Sequence, residues 1–350
     1  MRSRMIVLRS SNLQAGRRPF EGPLPMPSFE ASAEIAAGLR IEIEETAQRA
    51  FMRGVRTDPT VVGVAPAMSL RLVEPVVEAQ SLPGEEGGTT WGVDAVGAPA
   101  SPFDGSGVVV AVLDTGIDPQ HEAFTAMDLE QRDFTGIGNG DQHGHGTHCA
   151  GTIFGRALKG LRIGVAPGVT HALIGKVLGG PFGGGTDVLA SAMLWAYQGG
   201  ANVICMSLGI DFPGFVERLV QENGLPIPQA TSIALDAYSA NVRLFEQLAD
   251  LFNAGARFTQ STLMVAAAGN ESGRDKNPAF EVNVGPPAAA PGIVAVAALG
   301  PSPEGLVVAP FSNTRVTIAA PGVNVISARP GGGTCAFSGT IDFCIKNATI

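Results

Sequence analysis

The chain has 350 residues, 45% hydrophobic and 16% charged, which is enough for a large folded core and leaves room for two domains. Its 32 acidic against 23 basic residues give a net charge of −9, which argues against a nucleic-acid partner. No stretch approaches the roughly 20 apolar residues of a membrane span. The opening MRSRMIVLRSSNLQAGRRPF also lacks the apolar core of about 7–15 residues that a secretion signal requires, so no membrane partner is expected and the default location is cytoplasmic. Four cysteines, Cys149, Cys205, Cys335 and Cys344, show no CxxC spacing. The first two lie in apolar runs and are expected to pack as small hydrophobes, whereas Cys335 and Cys344 are able to pair if oxidised.

In chain order, residues 1–30 are rich in Arg, Pro and Ser and are expected to be poorly ordered. Residues 31–77 read as a small α+β unit. Leu39, Ile41 and Ile43 alternate with Arg40, Glu42 and Glu44, a helix-prone ETAQRAFMRGV follows, and two strand-like pieces, 60–64 and 69–73, are split by Ala65-Pro66. The Gly/Glu-rich EAQSLPGEEGGTT, residues 78–90, reads as a linker. Residues 91–350 then form the main domain.

That domain begins with VVVAVL, residues 108–113, a continuous apolar run of the kind buried on both faces of a parallel sheet. Asp114 closes the run at the carboxyl end, where open α/β sheets place their sites. Next comes QHGHGTHCAGTIFG, residues 142–155, which holds three of the five histidines. Two chemistries use histidine in such a setting. His143, His145 and His148 have the spacing of a zinc-hydrolase cluster, although Thr147 stands where such clusters carry an aspartate. Alternatively, a histidine that opens a helix among small residues serves as a general base between a carboxylate and a nucleophile. The strand-like 172–177 and the turn GGPFGGGT precede a helix with Thr186 as N-cap, Val188, Ala192, Trp195 and Ala196 on one face, and Gly199-Gly200 at its end. Residues 201–208, 263–270, 293–298 and 316–319 read as further strands. Residues 210–259 hold an amphipathic helix, with Leu244, Leu248 and Leu251 on one side, that is expected to border the site. Strand alternating with helix predicts right-handed parallel crossovers and an α/β fold.

The pairing of DTGID at 114–118 with HGTHCAG at 145–151, followed by AAAGN at 266–270, resembles the subtilisin-like serine peptidases, the S8 family. Trp91-Gly92-Val93, Gly97-Ala98, Ser207-Leu208-Gly209, Phe311-Ser312-Asn313 and Ala320-Pro321-Gly322 extend the likeness. The resemblance implies a three-layer αβα domain with a mostly parallel sheet, preceded by a small α+β propeptide-like domain. It implies a polypeptide substrate and, by family habit, secretion. It implies that Asp114 orients His145, that His145 is the general base, that Asn270 holds the oxyanion and that Ser207, Leu208 and Gly209 pair with substrate backbone. Calcium often accompanies the family, but Ala123 occupies the place of one acidic ligand, so no metal ligand is assigned. The pattern breaks after Ser338-Gly339-Thr340, because Ile341 stands where the nucleophilic serine belongs and nothing after it resembles Met-Ala-x-Pro. The domain is therefore expected to be incomplete at its C-terminus, to leave an apolar face open to self-association, and to be an inactive serine endopeptidase as written. A peptide-binding pseudoprotease is the alternative, and a zinc hydrolase built on the three histidines a distant third.

Overall fold

The computed structural model of the protein describes residues 2–11, 38–47, 51, 54–55, 57–79, 87–179, 184–256 and 260–340. Its centre is built from strands whose alternate residues serve opposite cores. In β6 (Val109–Asp114), Val110 and Val112 join one buried cluster while Ala111 and Leu113 join another. The same division holds in β9 (Val203–Met206) and β11 (Leu263–Ala267). Both faces being apolar, such strands are stable only inside a sheet covered on two sides.

β7 (Asp128–Asp133), β8 (His171–Lys176), β12 (Ile293–Ser302), β13 (Gly305–Val308) and β14 (Ile318–Pro321) complete an eight-stranded sheet of order β13-β12-β11-β9-β6-β8-β7, with β14 also paired to β12. All its pairings are parallel except the terminal β12/β13 hairpin. α1 (His145–Phe154) packs on one face. α2 (Thr186–Gln198) and the 29-residue α4 (Ile227–Gly255) pack on the other. This is the expected αβα arrangement. The residue 210–259 region contains both α3 (Phe212–Gln221) and α4, with Leu244 and Leu248 wholly buried.

Four expectations need correction. Residues 2–10 are not disordered: β1 (Arg2–Ser10) is the middle strand of an antiparallel sheet, between β2 (Leu39–Ala47) and β3 (Val61–Pro66). Met5, Ile6, Val7 and Leu8 are at most 1% exposed, and Ile6 and Leu8 share a core with α2 and α4. The arginines that made the segment look polar are paired, Arg4 with Asp187 of α2 and Arg9 with Glu42 and Asp58 at 2.6 and 2.5 Å. The small unit thus includes residues 2–10. Second, the ETAQRAFMRGV stretch opens as strand, because β2 runs to Ala47 in register with Arg2. Third, both ends of the expected linker are paired: β5 (Val77–Ala79) joins β16 (Thr334–Ser338), itself paired with β15 (Val325–Ala328), and Gly88–Thr89 pairs with Leu161–Arg162. Fourth, Thr186 is the first helical residue and Gly185 the N-cap, because the Thr186 hydroxyl accepts instead from the Met68 amide at 3.0 Å.

Candidate active site

Asp114 ends β6 and His145 opens α1, and the two meet because glycines let their loops touch. Gly144, the helix N-cap, has φ +99°, a left-handed conformation that glycine adopts without strain. A Cβ on Gly146 would lie 2.1 Å from the carbonyl oxygen of Gly116, so the DTG and HG motifs interlock backbone to backbone. His145 Nδ1 lies 2.7 Å from Asp114 Oδ1, which also accepts the Thr115 amide at 2.7 Å. His145 is 0% and Asp114 1% exposed. In such a pair the carboxylate fixes the ring orientation and favours the tautomer with hydrogen on Nδ1. Cys149, one turn along α1, places Sγ 3.7 Å from the same Nδ1.

Asp141 organises this loop, and sequence reasoning did not single it out. Its carboxylate accepts from the amides of His143, Gly144 and Thr147 and from the hydroxyls of Thr115 and Thr147. Burial opposes its ionisation, but the hydrogen bonds from Thr147, Gly144 and Thr115 prevail and hold it below the usual carboxylate range.

The three histidines do not converge. His148 Nε2 lies 3.1 Å from the Val325 carbonyl and its ring stacks on Phe337, with centroids 4.2 Å apart. His143 lies near the surface, 3.5 Å from Glu74. Successive α1 residues point around the helix, and His143 precedes it. Among the described residues, the only cluster of three metal-ligand donors within 4.8 Å of one another is Asp114, His145 and Cys149. The zinc cluster is thus replaced by one histidine at the site, one in the core and one at the rim.

Asn270 follows β11. Its Oδ1 accepts the Thr340 amide at 3.0 Å and its Nδ2 donates to the Glu74 carbonyl at 2.9 Å. The hydroxyl of Thr340 accepts from the Gly269 amide at 3.1 Å, clamping the turn. Ser207 lies between β9 and β10 (Leu208–Ile210). Leu208, Gly209 and Ile210 pair antiparallel with Leu72, Arg71 and Leu70 of β4 (Leu70–Leu72), and the Ser207 carbonyl accepts from Val73 at 3.4 Å. On its other side the Leu70 amide donates to Gly184 at 2.8 Å. The chain from 69 to 79 therefore runs from β4 past Asn270 and on to β16, where Val76 donates to Ser338 at 2.8 Å. Gly184 and β16 were missed because a glycine turn and a five-residue strand carry no periodic signal of their own. Ile341 lies outside the described residues.

The position where the resemblance puts one calcium ligand has unsuitable chemistry. Ala123 is buried and offers no carboxylate, and its carbonyl accepts the Arg156 amide at 2.8 Å. The loop after α1 is held by guanidinium groups: Arg156 donates to the carbonyls of Phe154, Pro167 and Val169, and Arg162 to those of Gly164 and Val165. These residues do not fit a calcium ion.

The sequence profile of the subtilase family, peptidase S8, matches residues 105–340. The chain belongs to the subtilase family. This subtilase is 31% identical to a subtilisin-like protease 6 of Trichophyton verrucosum over 261 residues, covering 73% of this chain and 51% of that protein. It is 30% identical to an intracellular serine protease of Paenibacillus polymyxa, over 71% of this chain and 67% of the relative. A cuticle-degrading serine protease of Arthrobotrys oligospora is also 30% identical, over 70% of this chain and 52% of its own length. This subtilase thus spans about half the length of several curated relatives it matches. Its fold is shared with fervidolysin from Fervidobacterium pennivorans, a keratinolytic enzyme related to subtilisin, at a TM-score of 0.62 and 19% identity, covering 97% of this chain and 52% of that one. No helix among the described residues is long and apolar enough to cross a membrane.

Proposed function

We propose that this chain is a subtilase that binds polypeptide in extended form across the Asp114–His145 pair and, as written, does not turn it over. The observation that carries the reading is the protein's own segment 69–79. It lies between Gly184 and β10 as an added strand, presents the Glu74 carbonyl to Asn270, and continues along β16. Main-chain pairing of this kind accepts many sequences, which suits a polypeptide-binding cleft. Asp114 would orient His145 and stabilise its charged form, His145 would take the proton from a nucleophile, and Asn270 would donate to the oxyanion. The described residues among 2–79 would correspond to a propeptide-like unit seated on α2 and α4.

Turnover requires an attacking atom, and isoleucine at position 341 has none. The two nearby hydroxyls are engaged elsewhere: Ser338 accepts from the Asn324 amide at 2.9 Å and Thr340 from Gly269. The test is labelling by a fluorophosphonate, which requires an activated serine. The chain as written should not react. A chain in which Thr340 is followed by Ser-Met-Ala-x-Pro and the helix expected after it should react, and His145→Ala should abolish the reaction. Labelling of the unaltered chain at Ser338 would overturn the reading and make it an active peptidase with a displaced nucleophile.

A further inference from the structure

In an extended strand alternate residues face opposite ways, so Arg71 stands apart from its neighbours Leu70 and Leu72. Its backbone is paired with Gly209, which contributes no side chain to the contact. The Arg71 guanidinium instead forms an ion pair with Glu271. Glu271 is not a loose surface acid. Its Oε2 accepts from Asn313 Nδ2 at 2.5 Å, and its amide donates to Asn313 Oδ1 at 3.1 Å. Asn313 is only 3% exposed and also donates to the Ala268 carbonyl at 3.0 Å. Glu271 directly follows Asn270, so one short turn aims an amide at the Glu74 carbonyl and a carboxylate at the side chain three residues before it.

We propose that Glu271 makes this cleft select a basic side chain, arginine or lysine, at the polypeptide position that pairs with Gly209. The inference rests on the cleft being a polypeptide site. Held in place by Asn313, the carboxylate loses little freedom when a cation arrives, which favours discrimination by charge. Both partners remain partly solvated, with 43% and 31% of their side chains exposed. The preference over a neutral residue is accordingly about threefold, and over an acidic one about tenfold.

The experiment uses the full chain carrying Arg71→Glu and Leu72→Asp, which empties the cleft of its own segment. Hydrogen exchange verifies the emptying, through lost protection at residues 69–73 with protection of β6 retained. Two fluorescent decapeptides are then titrated by anisotropy: PAMSLRLVEP, the sequence of residues 66–75, and PAMSLELVEP. The arginine peptide should bind about tenfold more tightly, with the gap shrinking in high salt. Adding Glu271→Gln should bring the two within about twofold while both still bind. Equal affinities in the chain that keeps Glu271 would overturn the inference and leave the polypeptide cleft standing, whereas binding of neither peptide would overturn both. A second measurement covers loss of folding in the emptied chain. In the otherwise unaltered protein, Glu271→Gln should speed exchange at residues 70–73 about threefold, and unchanged exchange would overturn the inference.

Discussion

Replacing Arg156 by alanine withdraws a guanidinium that holds the loop after α1. Nη2 donates to the Val169 carbonyl at 2.9 Å, and Nη1 donates to Pro167 and, more distantly at 3.4 Å, to Phe154. Hydrogen bonds from a charged donor contribute about 1.5–3 kcal/mol each. The side chain is half-buried, so the lower end applies, and the two good bonds give about 3 kcal/mol. At roughly 2 °C per kcal/mol for a chain of this size, the melting temperature should fall by about 6 °C. Scanning calorimetry of the parent and of Arg156→Ala, each in EDTA and in excess calcium, measures this. Neither protein should respond to calcium, and Arg156→Lys should recover less than half of the loss, because an ammonium cannot span the carbonyls as the planar fork does. An unchanged melting temperature in Arg156→Ala would refute the assignment, as would a parent whose transition drops in EDTA and returns with calcium.

Deleting residues 2–10 removes four fully buried apolar side chains, each contributing about 1.5–3 kcal/mol, so soluble expression should collapse, whereas a disordered leader would be dispensable. Gly146→Ala brings a Cβ against the Gly116 carbonyl, a contact between two backbones that cannot yield cheaply. The variant should be destabilised by about 2–4 kcal/mol in urea titrations, near the upper range of single substitutions. Because the folded-state pKa of Asp141 is depressed, its contribution to stability is complete above the ordinary carboxylate value of 3.8 and is lost as pH falls from there through the folded value. Asp141→Asn should therefore be less stable than the parent at pH 6, with the difference narrowing below about pH 4 in paired denaturation curves.

Much of the main domain was legible because its strands are buried on both faces and announce themselves as apolar runs with a polar residue at the carboxyl end. Asp114 and His145 come together as their motifs suggest, and Asn270 follows β11 and bonds to Glu74 and Thr340. What escaped reading did so for physical reasons. The apolar residues 5–8 are framed by Arg4 and Arg9, and composition taken over thirty residues hides a buried strand whose charges find partners far along the chain. Likewise, three histidines in six residues look like one cluster until the helix starting at His145 turns them apart. The pairing of β4 with β10 joins two three-residue strands distant in sequence, and its specificity lies in backbone hydrogen bonds that no side-chain pattern records. Arg71 and Glu271 are individually ordinary surface charges, and only the fold makes them neighbours.

The segment that lies across the site is tied into the protein at both ends, through β3 before it and β5 after it. A ligand held by its own chain acts at an effective concentration of order millimolar. On the proposed reading, an outside polypeptide would meet a competitor that dilution cannot remove, and its apparent affinity would fall in proportion to how firmly β4 is seated. Cutting the chain once within residues 80–86 would free the segment on one side only. It would stay anchored by β1–β3 and still rebind as a tethered ligand, so the cleft would open fully only when the whole N-terminal unit left α2 and α4.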